Sequence, residues 1–329
     1  MIEVARITDE EDIFRLREEW EALWQRDPAA TPFQSPAWLF AWLRFFGTPD
    51  PLVLTARLRG ELVALLPLYL LKEPGCCKLL PIGVGLSDYI DALCDPAAPA
   101  AVDLFMAAIA ETPGWDECWL PDLAPEGALA KAAAAIGVAD RFAAAAPCPV
   151  LPLPDAPARL EEVVPPTKLR VLRRARRLAA AAGGAVLETV GEERLDTAMD
   201  DLFHLHDLRW RTRGESGVCN DPRVQDFHRM AAGGLLASGM LRLHRLSIDG
   251  AAVAVCYGFA AKGAACAYLS GFDPSQSQLS PGMLVMGHAI EQASAEGAAC
   301  FDFLRGDENY KYGWGAVDRS KTSRHLSRR

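Results

Sequence analysis

The residues able to do chemistry concentrate between Ser280 and Lys311. Ser280-Pro281-Gly282 stands before a segment, 282–296, whose apolar residues at 285, 286, 289, 290 and 293 share a helical face. Ser280 is expected as the cap and Pro281 as the first helical residue, where a missing N–H costs nothing. The N–H groups of Gly282, Met283 and Leu284 would then point out of the helix end and, with the helix dipole, form an anion site that Gly282 leaves open. Past Gly297, where such a helix commonly ends, comes a strand, Phe301-Asp302-Phe303-Leu304, and then Arg305-Gly306-Asp307-Glu308-Asn309-Tyr310-Lys311. An anion site beside carboxylates, a phenol and a lysine suits a phosphate-bearing acyl donor held next to ionisable groups.

Turn chemistry supplies the elements that must position these residues. Asp249-Gly250 separates the apolar runs 241–248 and 251–260, and such a pair provides the positive φ of a tight hairpin. Lys262-Gly263 adds a strand over 264–271, which carries Leu269, Ser270 and Gly271. In the first half, Arg59-Gly60 joins Leu52–Leu58 to Glu61–Leu71, and both turns continue as Gly-x-x-Val-Ala, at Gly60, Val63, Ala64 and at Gly250, Val253, Ala254. Helical segments precede each copy (10–25 and 35–46; 192–212 and 222–237), so the expected fold class is α/β with a duplicated unit. Between the copies Pro147, Pro149, Pro152, Pro154, Pro157, Pro165 and Pro166 resist helix and interior strand alike. The boundary is expected near 150–165, giving halves 1–155 and 156–329. The Ala-rich segments 97–111 and 127–146 read as packed helices, and the tail Asp318–Arg329 reads as disordered.

Composition restricts the partners. The chain has 329 residues, 50% hydrophobic and 23% charged, which is globular composition with room for two cores. No apolar run reaches the roughly 20 residues of a membrane helix, and the amino terminus lacks a secretory pattern, so a cytoplasmic location is expected. A net charge of −9 argues against a nucleic-acid coat protein, and no DNA partner is expected. Nine scattered cysteines fit neither a disulfide framework nor a zinc site. His204 and His206, at i and i+2, point to different helix faces, and no metal is expected. One basic segment interrupts the acidic chain: Thr167 caps a helix with apolar positions 169, 172, 175 and 178 and cations at 168, 170, 173, 174, 176 and 177. That face is a solvated surface, or a contact for an anionic substrate, cofactor phosphates or RNA.

The run Tyr268-Leu269-Ser270-Gly271-Phe272-Asp273, the Ser-Pro-Gly helix start, Phe301-Asp302-Phe303-Leu304 and Tyr310-Lys311-x-x-Trp314 resembles the carboxy-terminal half of GNAT superfamily N-acyltransferases, in the tandem branch of CelD-like and FemAB-like proteins. Phe33-Gln34-Ser35-Pro36-Ala37-Trp38, Ala64-Leu65-Leu66-Pro67-Leu68, Gly85-Leu86-Ser87-Asp88-Tyr89-Ile90-Asp91, Arg209-Trp210 and Arg213-Gly214 extend the resemblance over roughly 30 to 315. It implies two GNAT-like units, each a mixed twisted sheet flanked by helices. It also implies acetyl-CoA or another acyl-CoA bound where strands 264–271 and 299–304 splay, with pantetheine along Leu269, Ser270 and Gly271 and pyrophosphate at Ser280, Gly282, Met283 and Leu284. The chain departs from the usual Gln/Arg-x-x-Gly-x-Gly/Ala phosphate loop, having Gln278-Leu279-Ser280-Pro281-Gly282-Met283. That departure leaves room for a Fem-type aminoacyl-tRNA donor, with the basic helix as its contact.

Acyl transfer needs a base for the acceptor and an acid for the leaving thiolate. Asp302 is the first candidate base, because alternation turns it away from Phe301 and Phe303; a structural hydrogen-bond acceptor is the competing reading. Asp307 and Glu308 are alternatives. Tyr310, or Tyr268, is the candidate acid. Lys311 is a candidate to pair with a phosphate or polarise the carbonyl. On the acceptor side, Asp88, Tyr89 and Asp91 suit an amine or sugar hydroxyls, and Arg209 and Trp210 offer a cation and a stacking face. The glycine-rich loop 214–222 is a candidate lid. The expected activity is acyl transfer from acyl-CoA to an amine or hydroxyl of a sugar, polysaccharide precursor or small metabolite. A Fem-type ligase and an inactive binding or assembly module of an envelope polysaccharide system are the alternatives, and RNA is a partner only in the Fem-type case.

Overall fold

A computed structural model describes residues 1–48, 50–154, 159–212, 214–215 and 217–328. The expected boundary at 155/156 and Pro157, Arg213 and Ser216 lie outside the described residues. In chain order the elements are β1 (Ile2–Ile7), α1 (Glu10–Arg15), α2 (Arg17–Arg26), α3 (Pro36–Phe46), β2 (Pro51–Leu58), β3 (Glu61–Glu73), β4 (Cys76–Pro81), β5 (Leu93–Cys94), α4 (Ala101–Glu111), β6 (Glu117–Leu123), α5 (Ala128–Lys131) and β7 (Ala139–Pro152). They continue as α6 (Leu160–Val163), α7 (Pro166–Ala182), β8 (Val186–Thr189), α8 (Leu195–Arg211), α9 (Pro222–Ala237), β9 (Leu241–Ile248), β10 (Ala251–Ala261), β11 (Ala264–Phe272), α10 (Pro281–Ala295), β12 (Cys300–Asp302), α11 (Asn309–Tyr312) and β13 (Val317–Ser327).

The chain forms two compact units, Met1–Ala146 with Ser320–Arg329, and Pro147–Arg319. Within the first, the strand order is β1-β2-β3-β4-β6-β13, with β5 beside β3; within the second it is β8-β9-β10-β11-β12-β7. The pairing senses repeat as well. β1 to β4 and β8 to β11 are antiparallel meanders, the next contact is parallel (β4 with β6, β11 with β12), and the last is antiparallel. The duplication expected from two hairpin turns therefore holds at the level of topology. Arg59-Gly60, Asp249-Gly250 and Lys262-Gly263 all sit at positive φ, between 50° and 87°, which matches the twist of the flanking strands.

Three expectations are corrected. The tail is not disordered: it forms β13, whose Thr322–Ser327 pairs with β6. Two buried cations hold it to the first unit. Lys321 Nζ reaches Asp122 Oδ1 at 2.7 Å and the Asp88 carbonyl at 2.9 Å, and Arg324 reaches Asp140 at 2.6 Å and the carbonyls of Leu129, Ala132 and Ala133. The segment 127–146 is helical only over Ala128–Lys131 and then becomes β7, in which Pro147, Pro149 and Pro152 are accommodated. Those at 147 and 149 contribute only carbonyls, to the N–H groups of Gly306 and Phe303, so their missing N–H groups cost nothing. Finally, α7 is capped by position at Pro165, not by Thr167, and buries Leu169, Leu172, Ala175 and Ala179, leaving Leu178 outside. The drift from 178 to 179 follows from 3.6 residues per turn.

In the second unit, a core forms where α7 and α10 pack on the sheet face carrying Leu246, Ala254, Cys256, Ala265, Ala267, Phe301 and Phe303. The helix α8 covers the opposite face, where Gly271 permits its approach: a Cβ there would lie 2.4 Å from the His206 amide nitrogen.

Candidate acyl-donor site

β11 and β12 run parallel for three residue pairs only, Ala264 to Cys300, Ala265 to Phe301 and Cys266 to Asp302. The chain then leaves β11 for β7: the Phe303 N–H donates to the Pro149 carbonyl at 2.9 Å, and the Gly306 N–H to the Pro147 carbonyl at 3.2 Å. β11 continues to Phe272, paired on its other edge with β10. Past Cys266, β11 pairs no further with β12 among the described residues, so the two strands open a wedge. At its start β11 makes a bulge, where Tyr257 pairs with Leu269 and Gly258 with Ala267, leaving Tyr268 extra.

Asp302 accounts for the parting. Its Oδ1 accepts from the Leu304 N–H at 2.7 Å, an Asx-type turn, and Leu304 takes φ 58°. Its Oδ2 faces the Arg319 guanidinium at 3.6 Å. The register sets Asp302 beside Cys266, on the sheet face away from α10, while Phe301 and Phe303 enter the core. Alternation was thus read correctly. Asp302 is buried and turns the chain; it does not line the cavity described next.

That cavity, about 440 Å³, lies in the second unit between the start of α10 and Tyr310. Ser270 and Phe272 reach it from β11, whereas Leu269 and Gly271 belong to the opposite face. Gly282 and Met283 line it; Leu284 is buried in the core. The expected anion site is narrower than its sequence suggests. Ser280 takes a left-handed conformation (φ 52°, ψ 53°) and its hydroxyl makes no capping bond. Its carbonyl accepts from the Met283 N–H at 3.0 Å and the Leu284 N–H at 3.2 Å. Of the three amides, only that of Gly282 has no recorded acceptor among the described residues.

Two side chains supply positive charge instead, one from the basic helix, for which cofactor phosphates were among the expected contacts, and one expected on the acceptor side. Lys168, counted with the basic helix, turns inward, its Nζ 4.7 Å from the centre of the Trp314 ring, and burial lowers its pKa. Arg209, assigned to the acceptor, lies over Phe272 at 5.5 Å and donates to Ser270 Oγ at 3.1 Å. The signal for Lys168 was available, because it shares the helix face of Leu172, Ala175 and Ala179.

Tyr310 lines the cavity, 39% exposed, and meets Phe303 edge-on at 6.4 Å. Lys311 is not available to a phosphate. It is 2% exposed, and its Nζ donates to the carbonyls of Leu304 (3.0 Å), Arg305 (2.8 Å) and Gly306 (3.1 Å) and meets Glu308 at 2.9 Å. It is the anchor of the loop after β12. Burial alone would raise the Glu308 carboxyl, but the hydrogen bond from Lys311, with smaller contributions that include Arg209, brings it below the ordinary glutamate range. Glu308 is therefore a carboxylate at neutral pH.

The expected acceptor residues have other partners. In the first unit, Gln34 Nε2 donates to the Tyr89 carbonyl at 2.9 Å, and Lys321 lies 5.3 Å from the Tyr89 ring centre. Asp91 accepts from the amides of Ala92, Leu129 and Ala128 at 2.8–2.9 Å, and burial raises its carboxyl to about 7 despite these bonds. It lines a second cavity, about 630 Å³, together with Asp27, Asp95 and Asp103. In the second unit, Trp210 Nε1 donates to His206 Nε2 at 2.8 Å, and Gly217 packs on both rings. Trp210 is thus tied to its own helix.

Residues 167–312 match the family described as an acetyltransferase (GNAT) domain. No curated protein matches the sequence. Among solved structures, FemX is similar over 97% of this chain and 96% of its own, at 11% identity and a TM-score of 0.68. The C-terminal domain of a putative lysylphosphatidylglycerol synthetase from Agrobacterium fabrum aligns over 95% and 91%, at 14% identity and 0.61. L-PGS from Bacillus licheniformis aligns over 95% and 91%, at 12% and 0.57. At these identities the likeness is one of fold. Residues 167–312, within the second unit, are thus similar to a GNAT acetyltransferase domain, and the chain as a whole has a mixed α/β architecture with helices flanking its strands.

Proposed function

We propose that the protein is an acyl-CoA-dependent transferase of the tandem CelD-like and FemAB-like branch, acting on an amine or hydroxyl of a sugar, polysaccharide precursor or small metabolite. The observation that carries this is that the pairing of β11 with β12 ends at Cys266 and Asp302 among the described residues, beside a cation-lined cavity. The pantetheine arm would pair with β11 past Ala267, and the phosphates would meet the Gly282 amide, Lys168 and Arg209. As the acceptor attacks the thioester carbonyl and the C–S bond breaks, Tyr310 protonates the departing thiolate and the proton lost by the acceptor passes to the Glu308 carboxylate. Glu308, held as a carboxylate, attracts an amine acceptor. Asp302 acts through the loop it shapes. Dependence on acyl-CoA would place the reaction in the cytoplasm.

Calorimetry tests this: acetyl-CoA should bind, and Gly282→Val, whose new carbons crowd Phe272 and the open amide, should weaken binding at least about tenfold. No heat with either protein would end the proposal. A Fem-type aminoacyl-tRNA donor is the second reading, favoured by the single open amide at the start of α10. It requires charged tRNA to bind where acetyl-CoA does not.

A further inference from the structure

The exposed face of α7 is not used by the site. The helix carries six cations and no acid. Lys168 turns into the cavity, Arg176 meets Glu291 at 2.7 Å and Arg173 meets Glu161 at 3.1 Å. Arg170, Arg174 and Arg177, spaced i, i+4, i+7, form one ridge on the outer surface and have no recorded acidic partner among the described residues. Beside this ridge, also one above the other, stand Val171, 42% exposed, and Leu178, 37% exposed. A merely solvated helix face has no use for that pair, and the phosphates of a nucleic acid gain nothing from it. A lipid–water interface uses both ridges, since aliphatic side chains enter the acyl boundary while arginines reach anionic headgroups.

We infer that the outer face of α7 docks the protein on an anionic phospholipid surface. The contact is peripheral: among the described residues no helix is long and apolar enough to cross a membrane. It is also conditional on charge. The chain is acidic, at −9, so attraction depends on the local ridge and weakens with salt as the Debye length shortens. Docking through α7 would bring the surface next to the helix that also supplies Lys168 to the cavity.

Vesicle co-sedimentation of the full chain tests the assignment independently of any activity. Binding to phosphatidylglycerol-rich vesicles and not to phosphatidylcholine vesicles is expected at low salt. Replacing Arg170, Arg174 and Arg177 by Gln should lower the partition about 100-fold, since each such cation contributes about fivefold at or below 0.15 M salt. Val171→Ser with Leu178→Ser should lower it several-fold at unchanged charge. All these side chains are exposed, and an unchanged Tm shows that the variants fold. Failure to bind anionic vesicles, or binding unaffected by the triple variant, would overturn the inference. So would an RNA oligonucleotide retained by these arginines when vesicles are not.

Discussion

Lys311→Met separates a loop anchor from a phosphate ligand. Methionine fills the space of the aliphatic stem but donates to nothing. The three carbonyls of residues 304–306 then lose a charged donor, in a loop that already holds Leu304 at φ 58° and Gly306 at φ 113°. Only the bond to Leu304 is fully buried; water can replace the others in part. Taking the buried bond at about 2 kcal/mol and each remaining contact at about 0.5 kcal/mol gives a loss of about 3–4 kcal/mol. For a unit of this size that corresponds to a fall in Tm of about 10 °C. Differential scanning calorimetry reads it directly, with acetyl-CoA titration alongside. A Tm within about 2 °C of wild type, together with a markedly weaker affinity for acetyl-CoA, would show that Lys311 serves the ligand and that the burial argument fails.

Four further outcomes follow from the same geometry. Asp302→Asn keeps an acceptor for the Leu304 N–H, so turnover should stay within a few-fold of wild type, while Asp302→Ala should lower stability by about 1–3 kcal/mol in urea titrations; a thousandfold loss of turnover in the Asn variant at normal stability would restore Asp302 as the base. Tyr310→Phe should lower kcat about 100-fold with KM little changed, and an unaltered kcat would remove the phenol from the mechanism. Arg324→Met strands Asp140 in the first unit and should cost about 3–5 kcal/mol, seen as early unfolding; an unchanged unfolding profile would show that β13 is dispensable. Asp91 gives a pH dependence. Its folded pKa, about 7, lies above the ordinary aspartate value, so the folded state holds the extra proton and its contribution to stability falls as pH rises from about 4 to 7. The slope in that window should vanish in Asp91→Asn, and its persistence would assign it to another group.

What could be read from sequence was what is decided locally. Asp249-Gly250, Lys262-Gly263 and Arg59-Gly60 each need positive φ within two residues, and they located the meanders and the duplication. The helix beginning at Pro281 was equally visible, since its period is contained within the segment, whereas the strand expected over 301–304 is Cys300–Asp302 and ends before Leu304, which turns to φ 58°. What was not visible depends on distant partners. β13 is held by Asp122 and Asp140, some 180 to 200 positions away, so a charged tail read as solvated chain. Lys311 looks like any surface lysine until three carbonyls converge on it. The direction of Asp302 followed from alternation, but which face carries the cavity is set by α7 and α10 packing on the other side. Ser280 read as a side-chain cap because nothing in Ser-Pro-Gly announces a left-handed serine.

The central claim is that the opening between β11 and β12 receives the thioester carrier. A crystal structure with bound CoA tests it most directly. The account predicts the pantetheine arm alongside Ala267–Phe272 and the pyrophosphate within reach of the Gly282 amide, Lys168 and Arg209. CoA bound elsewhere on the chain, with the β11 edge unoccupied, would contradict it.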